Sequence, residues 1–293
     1  MSKSKTEPKR ITLAFDLFDL PTAQHKAGLA GLLLQIRSMK DRRIAPETIP
    51  NVEELARTTA RITFTRDSVQ GLFDDLYDAK IVEKSSPTKW PNAAIKREEI
   101  QQLTDPATGR SKQVKQYIYD VVQPQAPCLM RFLASPEDNP WLKLWRDMVW
   151  AIPRGINTTR APFNKRAGGL PSSEGEAVWA HISKFQEELA RSIFATGPIS
   201  SALMLAAQSE NAESVPFSGR HDHNFLLHFW QLVVLTYVPQ VIDNDGKPAA
   251  KGYTLSIPDV ADIWEFSLAF PELLASLRLE RRGFRPTDAL IDI

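Results

Sequence analysis

Four of the five positions from 27 to 31 are alanine or glycine: Ala27, Gly28, Ala30 and Gly31, with Leu29 among them. They fall inside a run from Thr22 to about Met39 that reads as one helix, with Thr22 as its cap. Two glycines inside a helix cost roughly 1 kcal/mol each relative to alanine. A fold that keeps them must recover that loss through contact, and a face without side chains lets another backbone come close. Helix-on-sheet packing is the expected contact; a ligand approaching the same face is the alternative. Ahead of the helix, Ile11–Leu20 alternates as a strand does until Pro21 stops it.

Asn51 opens a short helix, V-E-E-L-A-R, followed by the strand-like R-I-T-F-T. A second helix spans about Arg66–Ala79, with Val69, Leu72, Phe73 and Leu76 at i, i+3, i+4 and i+7. I-V-E-K then starts a strand. Helix, short connection, helix and strand is the outline of a winged helix-turn-helix, so a DNA-binding transcription regulator is one reading. The second helix argues against it. Asp67, Asp74, Asp75 and Asp78 stand there against Arg66 alone, and phosphates would repel such a helix. Residues 85–99 are polar and broken by prolines, with Trp90 among them. From Ile100 to Val122 the pattern is a β-hairpin with its tip at Asp105–Arg110. Arg110 and Lys112, near that tip, are candidate nucleic-acid contacts, although lysines also guard exposed strand edges. Gln123–Pro127 reads as a linker. It divides the chain into an α+β region, 1–125, and a mainly helical region, 126–293, with one further hairpin.

In the second region Asn139-Pro140 starts a helix whose expected buried stripe is Trp141, Leu144, Trp145 and Met148. That helix leads into Trp150–Gly169, which carries Arg154, Arg160, Lys165 and Arg166 and no acidic residue. Asn157, Thr158, Thr159 and Asn164 lie between the cations. Pro153, Gly155, Pro162, Gly168 and Gly169 argue against a regular helix. On the far side Ser173 and Glu176 make a capping box for a helix with Val178, Ile182, Phe185, Leu189 and Ile193 along one side, ending at Gly197-Pro198. Held by a helix at each end, the segment is expected to be a presented loop. Its cations suit phosphates and its amides suit base edges. The alternative is an ordinary solvated loop.

The 293 residues carry a net charge of only +1, so attraction to nucleic acid has to come from local patches. One cysteine, Cys128, excludes a disulfide framework and a cysteine-rich zinc site. The polar start lacks the apolar run of a signal peptide. No window reaches the ~20 apolar residues of a membrane span. A soluble cytoplasmic protein is expected. His221, Asp222, His223 and His228 raise a metal-dependent hydrolase reading, but no second carboxylate–histidine cluster completes a site. D-N-D-G-K at 243–247 is expected as a hairpin tip and lacks the glutamate of a calcium loop. A final helix starts near Pro258 and is kinked or broken at Pro271, ahead of a basic tail. Phosphate-loop, dinucleotide-binding and nucleophile-elbow motifs are missing. Binding without catalysis, cofactor or metal is the expectation.

L-A-F-D-L-F-D-L-P-T-A-Q-H-K-A-G-L-A-G-L-L-L-Q-I near the start is followed by F-T-R-D-S-V-Q-G-L-F-D-D-L-Y-D-A, and R-G-F-R-P-T-D-A-L-I-D-I comes late. These stretches resemble the Myxan-subtype CRISPR-associated large-subunit family of type I-B-like systems. The resemblance implies a large subunit of a crRNA-guided surveillance complex (Cascade). Such a subunit sits at the crRNA 5′ handle, recognises the protospacer-adjacent motif in duplex DNA and helps to start the R-loop. Cleavage, or RNA-guided transposition in transposon-linked systems, falls to other proteins. The implied partners are the crRNA, the target duplex, and the backbone, handle-proximal and small subunits. The resembling stretches mark no DNA-reading residue, so the candidate contacts rest on the basic segment and the hairpin. Members of this family usually continue into a helical segment resembling the small subunit. Ile293 ends an apolar-rich piece, so that segment is expected either as further sequence or as separate chains.

Overall fold

The computed structural model describes residues 10–104, 111–189, 196–200, 202–205, 217–238, 240–242, 248–250 and 252–277. The chain opens with strand β1 (Ile11–Asp16), whose Ile11, Leu13 and Phe15 point into the core while Thr12 and Ala14 face solvent. Thr22 caps helix α1 (Ala23–Asp41) by accepting a hydrogen bond from the His25 N–H, as expected. Strands β2 (Asn51–Leu55) and β3 (Thr59–Phe64) complete an antiparallel sheet in the order β1-β3-β2. The V-E-E-L stretch is therefore a strand and not the expected helix. Val52 pairs with Ile62 and Leu55 with Ala60, and a register shift between Val52 and Glu54 absorbs Glu53. Cross-strand pairing outweighs the helical preference of two glutamates. Helix α2 (Arg66–Leu76) is closed by a capping box in which the Ser68 N–H donates to the Thr65 hydroxyl at 3.1 Å and the Thr65 N–H to the Ser68 hydroxyl at 2.8 Å. It buries Val69, Leu72, Phe73 and Leu76, the stripe read from the sequence.

A second antiparallel sheet, β4-β6-β5, is built from β4 (Ala79–Ser86), β5 (Arg97–Thr104) and β6 (Ser111–Pro124). β5 and β6 form the expected hairpin, with Thr104 opposite Ser111 and Leu103 opposite Lys112. Its tip, with Arg110, lies outside the described residues. Gln123 and Pro124 belong to β6, paired with Lys80 and Ala79, so the expected linker shrinks to Gln125 and Ala126. The Gln125 N–H donates to the Asp78 carbonyl at 2.8 Å, carrying the β4–β6 pairing one residue further, and Ala126 takes a positive φ of 52° just before the next helix.

Helix α3 (Pro127–Phe132) precedes α4 (Pro140–Ala151), which Asn139 caps through the Trp141 N–H at 2.9 Å. α4 buries Leu142, Leu144, Trp145, Met148 and Val149. Trp141 is only half-buried, edge-on to Tyr237 at 5.2 Å, so the stripe is rotated relative to the one expected. After helices α5 (Ala161–Ala167) and α6 (Ser173–Leu189), strands β7 (Thr196–Pro198) and β8 (Ser218–Arg220) pair and lead into helix α7 (His221–Leu226). Strands β9 (Leu235–Tyr237), β10 (Gln240–Ile242), β11 (Pro248–Ala250) and β12 (Thr254–Ser256) pair as β9 with β12 and β10 with β11. The D-N-D-G-K stretch thus joins the paired β10 and β11, and itself lies outside the described residues. Helix α8 (Ile263–Ser276) starts later than Pro258, where Asp262 caps it through the Glu265 N–H at 2.9 Å, and it contains Pro271.

α1 is buried over most of its circumference and lies at the centre of the molecule. Its small face takes the backbone of residues 226–229, not a sheet. A Cβ on Gly28 would collide with the Leu226 carbonyl oxygen, and one on Gly31 with that of Phe229. One apolar cluster runs through Leu32, Phe73, Trp145, Trp179 and Phe229, drawing on both sides of residue 125. Among the described residues no helix is long and apolar enough to cross a membrane.

Candidate nucleic-acid interface

The basic segment is not the irregular loop that its prolines and glycines suggest. A 3-10 turn at Asn157–Arg160 runs directly into α5. Pro162 falls in the first turn of α5, where a missing N–H and a fixed φ cost nothing. Gly155 and Gly168 lie at the boundaries of these helical pieces, and Gly169 supplies the positive φ of 78° that ends α5. Phe163 is fully buried, edge-on to Tyr77 at 5.0 Å and to Trp150 at 5.7 Å, and anchors α5 to the body.

Three of the four cations work inside the protein. Arg154 is 4% exposed, its Nη2 donating to the Tyr77 hydroxyl at 2.6 Å and its Nη1 to the Thr159 carbonyl at 3.1 Å. Burial pushes the Tyr77 phenol up to about 12 and, with the Arg154 charge, holds the His228 imidazole down at about 3. Both are neutral; the phenol oxygen accepts from Arg154 and shares a 3.0 Å hydrogen bond with His228 Nδ1. Arg160 fastens the end of α4: its Nε donates to the Arg154 carbonyl at 2.8 Å, its Nη2 to the Trp150 carbonyl at 3.0 Å and its Nη1 to Asn157 Oδ1 at 3.0 Å. The guanidinium lies 4.7 Å over the Trp150 ring. Arg166 ties α5 to α2, donating to the carbonyls of Asp74 at 3.1 Å and Leu170 at 3.2 Å.

Two of the α2 aspartates, Asp74 and Asp75, are engaged in the same way. Asp75 takes both oxygens to Arg42 Nη2 at 2.7 and 2.8 Å, and Asp74 accepts the Ser172 N–H at 2.6 Å. α2 packs under α6, where a Cβ on Gly175 would press on Gln70, so it is not free to enter a groove. The expected capping box of α6 is also displaced. Ser172 accepts the Glu174 N–H at 3.3 Å, while Glu176 reaches across to Arg66 at 2.6 Å. That removes the helix pair and the recognition helix on which the transcription-regulator reading stood.

Asn157, Thr158, Asn164 and Lys165 remain exposed, and Thr159 is half-buried with its hydroxyl on the Ile156 carbonyl at 2.6 Å. Asn157, Arg160 and Asn164 form one wall of a cleft of about 540 Å³ whose other wall is the 90–96 turn and β6. There Trp90 lies flat on Tyr119, ring centres 4.4 Å apart and planes 9° apart, and the Trp90 backbone N–H donates to the Tyr119 hydroxyl at 2.9 Å. Sequence reasoning missed this pair as part of the site. The available signal was a tryptophan standing alone in a polar, proline-broken stretch.

The histidines do not converge. His221 stacks on His181 at 5.1 Å, His223 faces His25 at 6.2 Å, and His228 is buried behind Tyr77. Among the described residues no group of three His, Cys, Asp or Glu side chains could hold a metal ion. Their effect is on stability. Burial holds His25 at about 4 and His228 at about 3, below the 6.5 of a free imidazole. Between those values the unfolded chain binds more protons than the folded one. The stabilisation is complete above pH 6.5 and drains away on acidification, at up to about 1.4 kcal/mol per pH unit for each histidine. Thermal midpoints should fall steadily from about pH 6.5 to pH 5, before most carboxylates titrate. A flat profile across that window would contradict the burial of both rings.

The family profile of the type I-B CRISPR Cas8b N-terminal domain matches residues 49–293 of this chain. A search of curated proteins returns no match.

Proposed function

The chain belongs to the Cas8b N-terminal domain family of type I-B CRISPR systems, as a Cas8-like large subunit, and on that premise we propose that it binds the crRNA 5′ handle and recognises the protospacer-adjacent motif in target duplex DNA to start the R-loop. It works in the cytoplasm as a non-catalytic part of Cascade, beside the crRNA and the backbone, handle-proximal and small subunits. Nucleases or transposition proteins act downstream. Guide pairing carries most of the sequence specificity, and the subunit adds a short motif check.

The observation that carries the reading is that Asn157, Thr158, Asn164 and Lys165 are exposed on a segment fastened to the body by the buried Arg154 and the half-buried Arg160. Lys165 meets a phosphate. Asn157 engages its Oδ1 with Arg160, which leaves its amide N–H groups for a base edge. Arg154, Arg160 and Arg166 keep the segment in place. Arg110 and Lys112 extend the contact from the hairpin. The α+β region to residue 125 and the helical region after it each contribute one wall of the interface.

Binding of Cascade complexes to a panel of motif variants tests these roles. Lys165→Ala should weaken all targets alike and lower the salt slope by about one. Asn157→Ala should relax preference at one motif position at a cost of ~1–3 kcal/mol. Unchanged affinity and unchanged preference in both variants would remove the segment from the interface.

A further inference from the structure

The cleft beside the basic segment has a chemistry of its own. Its volume of about 540 Å³ is within the range of small-ligand sites. One wall is the stacked Trp90–Tyr119 pair, with Trp90 still 36% exposed, and the opposite wall is Trp150 under the Arg160 guanidinium. Asn157 and Asn164 stand at its edge as exposed amides. An anion is a poor occupant. Asp120 lines the cleft, its carboxylate 2.8 Å from Lys96, whose ammonium is also 3.0 Å from Glu83. Arg160 directs its Nε and both Nη atoms to acceptors within its own segment. Flat aromatic walls, amide donors and acceptors, and no cation free to hold a phosphate describe a site for a neutral, planar, hydrogen-bonding group.

We propose that this cleft holds one unpaired nucleobase of a single strand, stacked against Trp90 and hydrogen-bonded at its edge by Asn157 or Asn164, with the strand's phosphates passing outside near Lys165. The proposal deepens the nucleic-acid reading above and rests on it. The base can come from guide RNA or from unwound DNA, since the stacking chemistry is shared.

The test is fluorescence anisotropy of the full chain with labelled strands of about eight nucleotides. The strands are an oligouridine RNA, an oligothymidine DNA, and an abasic sugar–phosphate strand of the same charge. At least one base-bearing strand should bind about tenfold tighter than the abasic one, and the stronger of the two identifies the source. Trp90→Ala should abolish that preference without changing abasic-strand affinity, and Trp90→Phe should keep most of it. Equal affinity for abasic and base-bearing strands in the unaltered chain overturns the nucleobase site whatever the variants do. If Lys165→Ala then still weakens binding, the phosphate contact survives alone; if no strand binds, both readings fall. A preference that persists in folded Trp90→Ala also overturns the proposal.

Discussion

Gly31→Ala is expected to destabilise the protein by about 2 kcal/mol, although alanine is the better helix former by roughly 1 kcal/mol. The added Cβ would run into the carbonyl group of Phe229, which is backbone and cannot swing aside as a side-chain tip would. Phe229 is fully buried, its ring 5.2 Å from Phe225 and 5.8 Å from Phe73, so moving its backbone disturbs the aromatic core. Close packing transmits such a shift and does not absorb it. Gly28→Ala meets the Leu226 carbonyl in the same way. Gly168→Ala is the control: its φ is −83° and a Cβ would come no nearer than 3.4 Å to the Lys165 carbonyl oxygen. Urea or thermal denaturation should show a loss for Gly31→Ala and little change for Gly168→Ala. A Gly31→Ala protein as stable as the parent would show that the backbones are not in contact.

The same glycines mark how far the sequence could be read. That they need a backbone neighbour follows from the energetics of glycine in a helix. Which backbone it is depends on a chain segment some two hundred residues away, and no local pattern carries that. The α+β class, the capped α1, the α2 stripe and the β5–β6 hairpin were legible because each rests on a periodicity or a cap within about a dozen residues. The V-E-E-L strand was not, because its partner strand and a one-residue shift decide it. In the basic segment the division of labour among the cations was hidden. An arginine reads as a surface cation until Tyr77 and the Thr159 carbonyl close around it. Pro162 reads as a breaker unless it falls in a first turn, where it is an initiator. Trp90 reads as a stray aromatic until β6 brings Tyr119 beneath it.

That hidden division of labour makes Arg154 and Lys165, eleven positions apart in one basic segment, opposite in their expected behaviour. Arg154→Ala should cost about 2–3 kcal/mol of stability. It removes charge-assisted hydrogen bonds to the Tyr77 hydroxyl and the Thr159 carbonyl in a buried site, and it leaves that carbonyl without its donor. One effect runs the other way. Arg154 Nε has no hydrogen-bond partner, so part of the cost of burying the guanidinium is recovered when it goes. Arg154→Met keeps the packing and sheds the charge, and should therefore lose less than Arg154→Ala. Nucleic-acid affinity should fall in Arg154→Ala because the 3-10 turn loosens, yet its salt slope should stay as in the parent, since no phosphate contact is lost. Lys165→Ala should do the reverse, leaving stability within about 0.5 kcal/mol while the salt slope drops by about one. Thermal denaturation and a salt titration on the two variants separate a residue that holds the interface from one that touches the ligand. An Arg154→Ala protein with parental stability and a reduced slope would place that arginine on the nucleic acid instead.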